Sequence, residues 1–495
     1  MAAVNEAYDE AVKLISSVVC SDDESRSRTS IKLVPCKSRS QGDIVCTSPE
    51  VASCFVDKAK KEELLELVRR SHVLASCDFT QQGQPCLSLS RSVFFRKCLS
   101  EVAASKGSYG CAAAESLPPF AVAIHLPSSA TTLDEGRVLL TARLLSRLLR
   151  ARGHAVMVTC PPSLRRRDDV IPFLASEGEE VRGEIAAEKD DTLLPARGSA
   201  ASEVASVMSS LSDSISNVVH VVGQRCSQAV QQAVSSTTTN IGGVMSSHDQ
   251  RQRVVVVAGV HWTGRGVAKS AGPILSLSDV VSIRTRLMHS IYSARYSRTA
   301  TAKGSTDDQD VATKMADAVM KFEMLSADLN CPVKIELTSS SSTVDSGTRL
   351  DGSFVMYNYA RMATLLAQYQ RNIEGGEYPT PPPLEEVDFS LLSDMEEWDL
   401  LWGYVLPYPM VVQEATTFRP THGNTNVTVP LKKICLFLIR LSHAFSTYYS
   451  RVKILLAPEP HLMPLIHARI LLMKTVQQVM KNGLALLAID PIEHL

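Results

Sequence analysis

No window of the 495-residue sequence approaches the about 18 consecutive apolar residues that a membrane-spanning helix needs. The opening residues, MAAVNEAYDE, are acidic and lack a basic flank followed by an apolar core, so no secretory leader is expected and the expected compartment is cytoplasmic. None of the twelve cysteines forms a C-x2-C pair, and eight of them fall singly and irregularly between Cys20 and Cys111. That usage favours reduced thiols in a cytosolic core over disulfides or a zinc ribbon. Net charge is also nearly absent: 51 Lys/Arg against 52 Asp/Glu leave −1, so a nucleic-acid surface has to be sought region by region.

Intact phosphate loops are missing as well. Residues 253–273, RVVVVAGVHWTGRGVAKSAGP, begin as a strand and continue into glycines at 259, 264 and 266 followed by Lys269-Ser270. A Walker loop places a glycine directly before the lysine, so that successive N–H groups wrap the phosphates at a helix start. Here Ala268 holds that place, and Pro273 follows too soon for a helix to open at the loop. The dinucleotide pattern fails too, because Lys269 stands where its third glycine belongs. The stretch reads as a buried parallel strand with a Gly-rich connection.

What is present, with 45% hydrophobic residues, is enough chain for roughly three domains. Residues 4–19 carry helical spacing (Val4, Tyr8, Val12, Ile15, Val19), Lys58 to Val73 continues in helices, and 86–110 gives a short strand and then a helix closing at Lys106-Gly107. Phe120 to Leu126, the helix DEGRVLLTARLLSRLLRARGHAV and the strand Ala155 to Thr159 form a βαβ unit, the start of a parallel sheet. The arginines of that helix, Arg143, Arg147, Arg150 and Arg152, form either a solvated face or a binding face. In the Ser-rich tract 199–250, Val204, Val207, Met208, Leu211, Ile215, Val218 and Val222 keep a 3.6-residue period, which predicts a helix. Residues 372–399 hold three consecutive prolines and no basic residue, whereas nine Lys/Arg against four acids follow residue 411. In that basic region, one helix is predicted from Pro430 with Lys432, Lys433 and Arg440 free. A second is predicted from about Pro464 to a C-cap at Asn482-Gly483.

The segments FVMYNYARMATLL (354–366), LPYPMVVQEAT (406–416), LFLIRLSHAFSTYYSRVKILL (436–456) and HARILLMKTVQQVMKNGLALLAIDP (467–491) resemble, in order and spacing, the anticodon-binding DALR domain of arginyl-tRNA synthetases. The literal Asp-Ala-Leu-Arg string is absent near 461–469. Residues 312–326 look like the helix after the synthetase catalytic domain. Residues 120–156 look like its first strand, signature loop and helix, and 253–281 like its second nucleotide loop. Class I synthetases hold ATP with a His-x-Gly-His loop at a helix N-terminus. Here HLPSSATTL offers His125 alone, with no glycine before Gly136. A decayed synthetase body joined to a good DALR domain resembles the DALR anticodon-binding domain-containing protein 3 family.

The resemblance implies an α/β plus all-α protein. A small α/β N-terminal domain (1–115) precedes a degenerate class I synthetase-like Rossmann domain (116–305, with a Ser-rich insertion at about 199–250). A helical connector (306–353) and a helical-bundle DALR anticodon-binding domain (354–495) follow. It further implies a non-catalytic adaptor that holds arginine tRNA by its anticodon arm for a partner methyltransferase making 3-methylcytidine. No catalytic residue, metal or cofactor is expected, and neither membrane nor DNA as a partner. An anticodon loop asks for aromatic planes and cations. The candidates are Tyr357, Tyr359 and Arg361 at the domain entry; Lys432, Lys433 and Arg440; Tyr448, Tyr449, Arg451 and Lys453; and Arg469 and Lys474. Against this stand core packing for each tyrosine and an acidic structural partner for Arg469. Two other readings stay open: a protein scaffold, and a residual synthetase.

Overall fold

Three apolar runs of the middle of the chain, FAVAIH, NVVHVV and RVVVV, become neighbouring parallel strands, because strands covered on both faces need no polar alternation. The computed structural model describes residues 2–19, 31–35, 42–112, 117–126, 132–160, 204, 207–208, 215, 217–239, 251–265, 277–296, 307–338, 350–421 and 425–493. Lys269-Ser270, about half of the Ser-rich tract and most of the loop after His125 lie outside them. The chain divides into two compact units: 1–109 with 365–407 and 447–478, and 110–364 with 408–446 and 479–495.

The first unit opens with helix α1 (Ala2–Val19), strands β1 (Leu33–Pro35) and β2 (Ile44–Cys46), and helices α2 (Pro49–Cys54) and α3 (Lys58–Arg70). Strands β3 (Leu74–Phe79) and β4 (Pro85–Leu89) and helix α4 (Arg91–Ser105) follow. The strands form an antiparallel sheet in the order β1-β2-β4-β3. Lys106, at φ 47, ends α4 where the Lys106-Gly107 signal was read. The core of this unit centres on Trp398, whose Nε1 donates to Asp43 Oδ1 at 2.7 Å. Phe94 and Phe95 meet its ring edge-on at 6.2 and 5.8 Å.

In the second unit, β5 (Leu117–His125), α5 (Leu133–Ala151) and β6 (His154–Thr159) are the expected βαβ unit. They are followed by β7 (Asn217–Gly223), α6 (Gln224–Thr239), β8 (Arg251–Val257) and β9 (Val260–Arg265). Helices α7 (Leu277–Tyr296) and α8 (Asp307–Leu325) precede β10 (Val333–Thr338). Val218 to Val222, read as part of a helix, is the central strand β7; in a doubly buried strand the contiguous valines mimic any period. Only 204 and 207–208 of that stretch are helical among the described residues. The arginines of α5 are half-buried rather than a solvated face. Arg147 donates to Ala485 O at 2.7 Å and Arg150 to Val156 O at 3.1 Å.

The C-terminal third supplies α9 (Asp351–Glu374), α10 (Met395–Leu400), α11 (Tyr408–Ala415), β11 (Arg419–Pro420), β12 (Asn426–Thr428), α12 (Lys432–Arg451) and α13 (Met463–Leu486). The short β11 and β12 complete a six-stranded sheet, β11-β12-β8-β7-β5-β6, in which only the β11–β12 pair is antiparallel. Helix α13 does not stop at Asn482-Gly483. Gly483 lets Leu438 of α12 approach so closely that an added Cβ would stand 2.8 Å from its Cδ2, and the helix closes later, near Ala488 at φ 54. Among the described residues no helix is long and apolar enough to cross a membrane.

The strand order reverses between β5 and β7, and at that point His125 Nε2 and His220 Nδ1 lie 2.9 Å apart, both rings buried. Burial pushes both imidazoles down, His125 to about 3 with help from His220, and His220 to about 4. A base whose folded value is depressed stays neutral while its unfolded counterpart protonates, so its contribution is complete above the unfolded value near 6.5 and is lost as pH falls toward 4 and 3. Glu323, pushed up to about 7 by burial, which outweighs the opposing pull of Arg284, works with the opposite sign over part of this window. Urea melts at pH 7.5 and 5.0 of the natural chain and of His220→Asn isolate the pair. The variant is expected to lose less stability on acidification, and an identical acid loss would contradict the assignment.

Candidate nucleic-acid interface

In the second unit, the start of α9 and the middle of α12 build one aromatic and cationic surface. Phe354, Tyr357 and Arg361 follow one another at helical spacing on α9, and Arg440 and His443 do so on α12. Phe354 lies against the His443 ring at 4.5 Å between centroids, joining the two stripes. Tyr357 is 37% exposed, with the Arg361 guanidinium 5.9 Å from its ring centre. Arg440 is exposed and forms no ion pair with another described residue. Tyr357, Arg361 and Arg440 are among the residues expected from sequence; Phe354 and His443 are not, and their only signal in the sequence is the three-residue spacing each keeps from one of those.

Other candidates in this unit are placed differently. Tyr359 faces inward at 2% exposure, and burial together with Glu493 pushes its hydroxyl up to about 12. Lys432 and Lys433, read as free, are half-buried and already paired, Lys432 with Asp328 at 2.6 Å and Lys433 with Glu414. The first turn of α12 lies beside acids that are distant in sequence, which helix periodicity does not reveal.

The first unit holds the remaining candidates. Tyr448 is fully buried, and its hydroxyl donates to Glu397 Oε1 at 3.1 Å. Arg469, 8% exposed, donates from Nε to the same oxygen at 2.7 Å, from Nη2 to Asp394 Oδ2 at 2.7 Å and from Nη1 to Lys453 O at 3.2 Å. Of the two readings for Arg469, the geometry is that of an acid's structural partner, and Tyr448 offers no face for stacking. The acidic stretch supplies both carboxylates: Glu397 lies wholly inside, and burial raises its pKa against the opposing pull of Arg469. Tyr449 is half-buried. Arg451 is exposed but paired with Glu396. Lys453 and Lys474 are exposed, with no ion pair to another described residue.

At the place where a nucleotide phosphate would meet a helix start, α5 is satisfied by its own chain. Glu135 Oε2 accepts from Thr132 N at 3.0 Å, and Asp134 Oδ1 accepts from Val260 N at 2.6 Å. Arg225 Nη2 lies 3.4 Å from Asp134 Oδ2. Gly259 makes the approach possible, since a Cβ there would stand 3.0 Å from Asp134 Oδ1. Two carboxylates in the first turn compensate the positive end of the helix dipole and oppose a phosphate. One turn on, the buried Arg137 donates to the carbonyls of Met324, Ala258, Cys331 and Asp328 at 2.8–3.1 Å. Among the described residues no group of three or more His, Cys, Asp or Glu side chains could hold a metal ion.

Residues 355–495 match the DALR anticodon binding domain family. Two proteins named DALR anticodon-binding domain-containing protein 3 are similar to the chain. That of Rattus norvegicus is 42% identical over 178 residues, 36% of this chain and 32% of that protein. That of Danio rerio is 33% identical over 231 residues, 46% of this chain and 41% of that protein. The chain therefore aligns with less than half the length of these curated relatives. The arginyl-tRNA synthetase of Thermus thermophilus superimposes with a TM-score of 0.58 at 13% identity, covering 98% of this chain and 99% of that one, which shows a common fold. A synthetase-like α/β fold with a small α/β N-terminal region thus carries, in residues 355–495, a match to the DALR anticodon binding domain family.

Proposed function

We propose that the chain is a non-catalytic tRNA-binding adaptor that recognises arginine tRNAs and presents the anticodon loop to a partner methyltransferase for 3-methylcytidine formation. The reading rests above all on the α5 N-terminus, where Asp134 and Glu135 hold the place of a phosphate in a fold whose other end is a DALR domain. The names of the similar proteins support the same reading, and the methyltransferase enters through the resemblance noted in the sequence. Two assays test it. Added to a 3-methylcytidine methyltransferase and arginine tRNA, the chain should raise methylation while transferring no methyl group alone. With ATP, arginine and pyrophosphate it should give no exchange above a blank. Exchange well above the blank would mean a residual synthetase, and unchanged methylation would remove the adaptor role.

Exposed cations in this proposal contact phosphate and release condensed counterions, so tRNA affinity should fall steeply between 50 and 200 mM salt, roughly tenfold or more for several contacts. Replacing Arg440, Lys453 and Lys474 by alanine should weaken binding and flatten that salt dependence. The melting temperature should stay nearly unchanged, because exposed charges contribute little to stability. Filter binding across a salt series reads both quantities. An unaltered slope in the folded variant would place the phosphate contacts elsewhere.

A further inference from the structure

We propose that residues 379–383, PTPPP, form a docking strand for a partner protein whose groove is lined with aromatic rings and rimmed with basic residues. The inference stands apart from the tRNA-binding reading. Residues 375–394, which join α9 to α10, contain no strand and only two short turns of 3-10 helix, Leu384–Glu386 and Phe389–Leu391. A connection of that length with so little structure of its own is uncommon inside a compact unit and usually carries a function. Proline fixes φ near about −65° and drives the residue before it into the extended region, so Thr380, Pro381 and Pro382 are all held in polyproline II geometry. Pro383 closes the run at φ −52° and ψ 150°. Pro379, Thr380, Pro381 and Pro383 are exposed, and Pro382 is half-buried. Thr380 supplies the run's one backbone N–H, which meets no acceptor among the described residues.

Both ends of the run are pinned within the first unit. Tyr378, 5% exposed, donates from its hydroxyl to Leu456 O at 2.6 Å and from its N–H to Asn372 O at 3.0 Å. Arg96 of α4 donates to the carbonyls of Glu385 and Val387. Its guanidinium lies 5.6 Å from the centre of the Phe389 ring, which stacks on Phe95. A polyproline strand has little chain freedom to lose, and pinning removes more, so a partner that grips it meets a small ordering cost.

The surroundings select the partner. Exposed proline strands of this geometry are read by grooves of aromatic side chains. Glu374 and Glu377 before the run and Glu385, Glu386 and Asp388 after it are exposed, and no Lys or Arg occurs from 372 to 399. Carboxylates at both ends repel phosphate and acid-rimmed grooves, which sets RNA and SH3-type grooves aside, and they complement a basic rim. Leu391 and Met395, 38% and 40% exposed, follow the run and offer apolar area beyond the prolines.

The test titrates the full chain into isotope-labelled, purified WW and EVH1 domains with basic groove rims and SH3 domains with acidic rims, read by nuclear magnetic resonance shifts. The basic-rimmed domains should saturate through their aromatic groove residues, and the SH3 domains should not respond. Pro381→Ala with Pro383→Ala should weaken this binding by about tenfold or more, the effect of withdrawing ring methylenes from an apolar groove. Glu385→Lys with Glu386→Lys should weaken it at low salt and change it little at high salt. Both double variants should keep the natural chain's behaviour toward arginine tRNA, and thermal melts establish that they are folded. If no basic-rimmed domain binds, or if the folded proline variant binds as tightly as the natural chain, the docking assignment is overturned whatever the chain does with tRNA. A loss of tRNA affinity in the folded proline variant would make the segment an RNA contact and overturn it equally.

Discussion

Arg469→Ala is expected to destabilise the first unit by about 3–5 kcal/mol, the range for removing one partner of a buried ion pair. The guanidinium is the only cation that the described residues bring to Glu397, which is wholly buried and also accepts from Tyr448. Without it the carboxylate must either remain charged in an apolar surrounding or take up a proton, and burial already biases it toward protonation. The Asp394 and Lys453 contacts go at the same time. Arg469→Lys should recover only part of the loss, because one ammonium cannot span three acceptors in a planar fork. Urea denaturation decides between this role and a phosphate ligand: a variant that keeps its stability and loses tRNA binding would restore the ligand reading.

Arg137→Met is expected to be at least as damaging to the second unit, about 4 kcal/mol. It leaves four backbone carbonyls, from Ala258, Met324, Asp328 and Cys331, without a charged donor, each such bond to an ionised group contributing about 1.5–3 kcal/mol in part-additive fashion. Burial lowers the guanidinium to about 10, still protonated at neutral pH, so the donor set is intact there. The carbonyls belong to the turn after β8, the last turn of α8 and the segment following it, and Arg137 fixes all three on α5. A far-ultraviolet urea melt with a loss below about 1 kcal/mol would show that water replaces the guanidinium.

The parts of this fold that were legible in the sequence are those set by local pattern. The run from Phe120, the capped helix and the strand from Ala155 announced β5, α5 and β6, and the Lys106 stop was readable from composition. What escaped was decided by contacts between distant positions. Val218 to Val222 is compatible with either period until its neighbouring strands are known. Gly483 looks like a cap but is a helix-packing glycine, because Leu438 comes from another helix. The site followed the same rule. Residue type identified aromatic and cationic candidates, yet type alone does not separate Tyr357 from Tyr359, or Arg440 from Arg469, whose surroundings are assembled by the fold. Phe354 and His443 drew no notice because neither looks like an RNA ligand until the α9–α12 contact pairs them.

The central claim, a DALR-bearing synthetase fold that holds arginine tRNA without using it as a substrate, is tested most directly by binding the full chain to purified arginine tRNA in the absence of ATP and amino acid. A filter-binding titration at 50 and 200 mM salt, with an unrelated tRNA and an RNA duplex as competitors, should show saturable binding to arginine tRNA that weakens steeply with salt and resists both competitors at the lower salt. Failure to saturate, or displacement by the duplex as readily as by arginine tRNA itself, would contradict it.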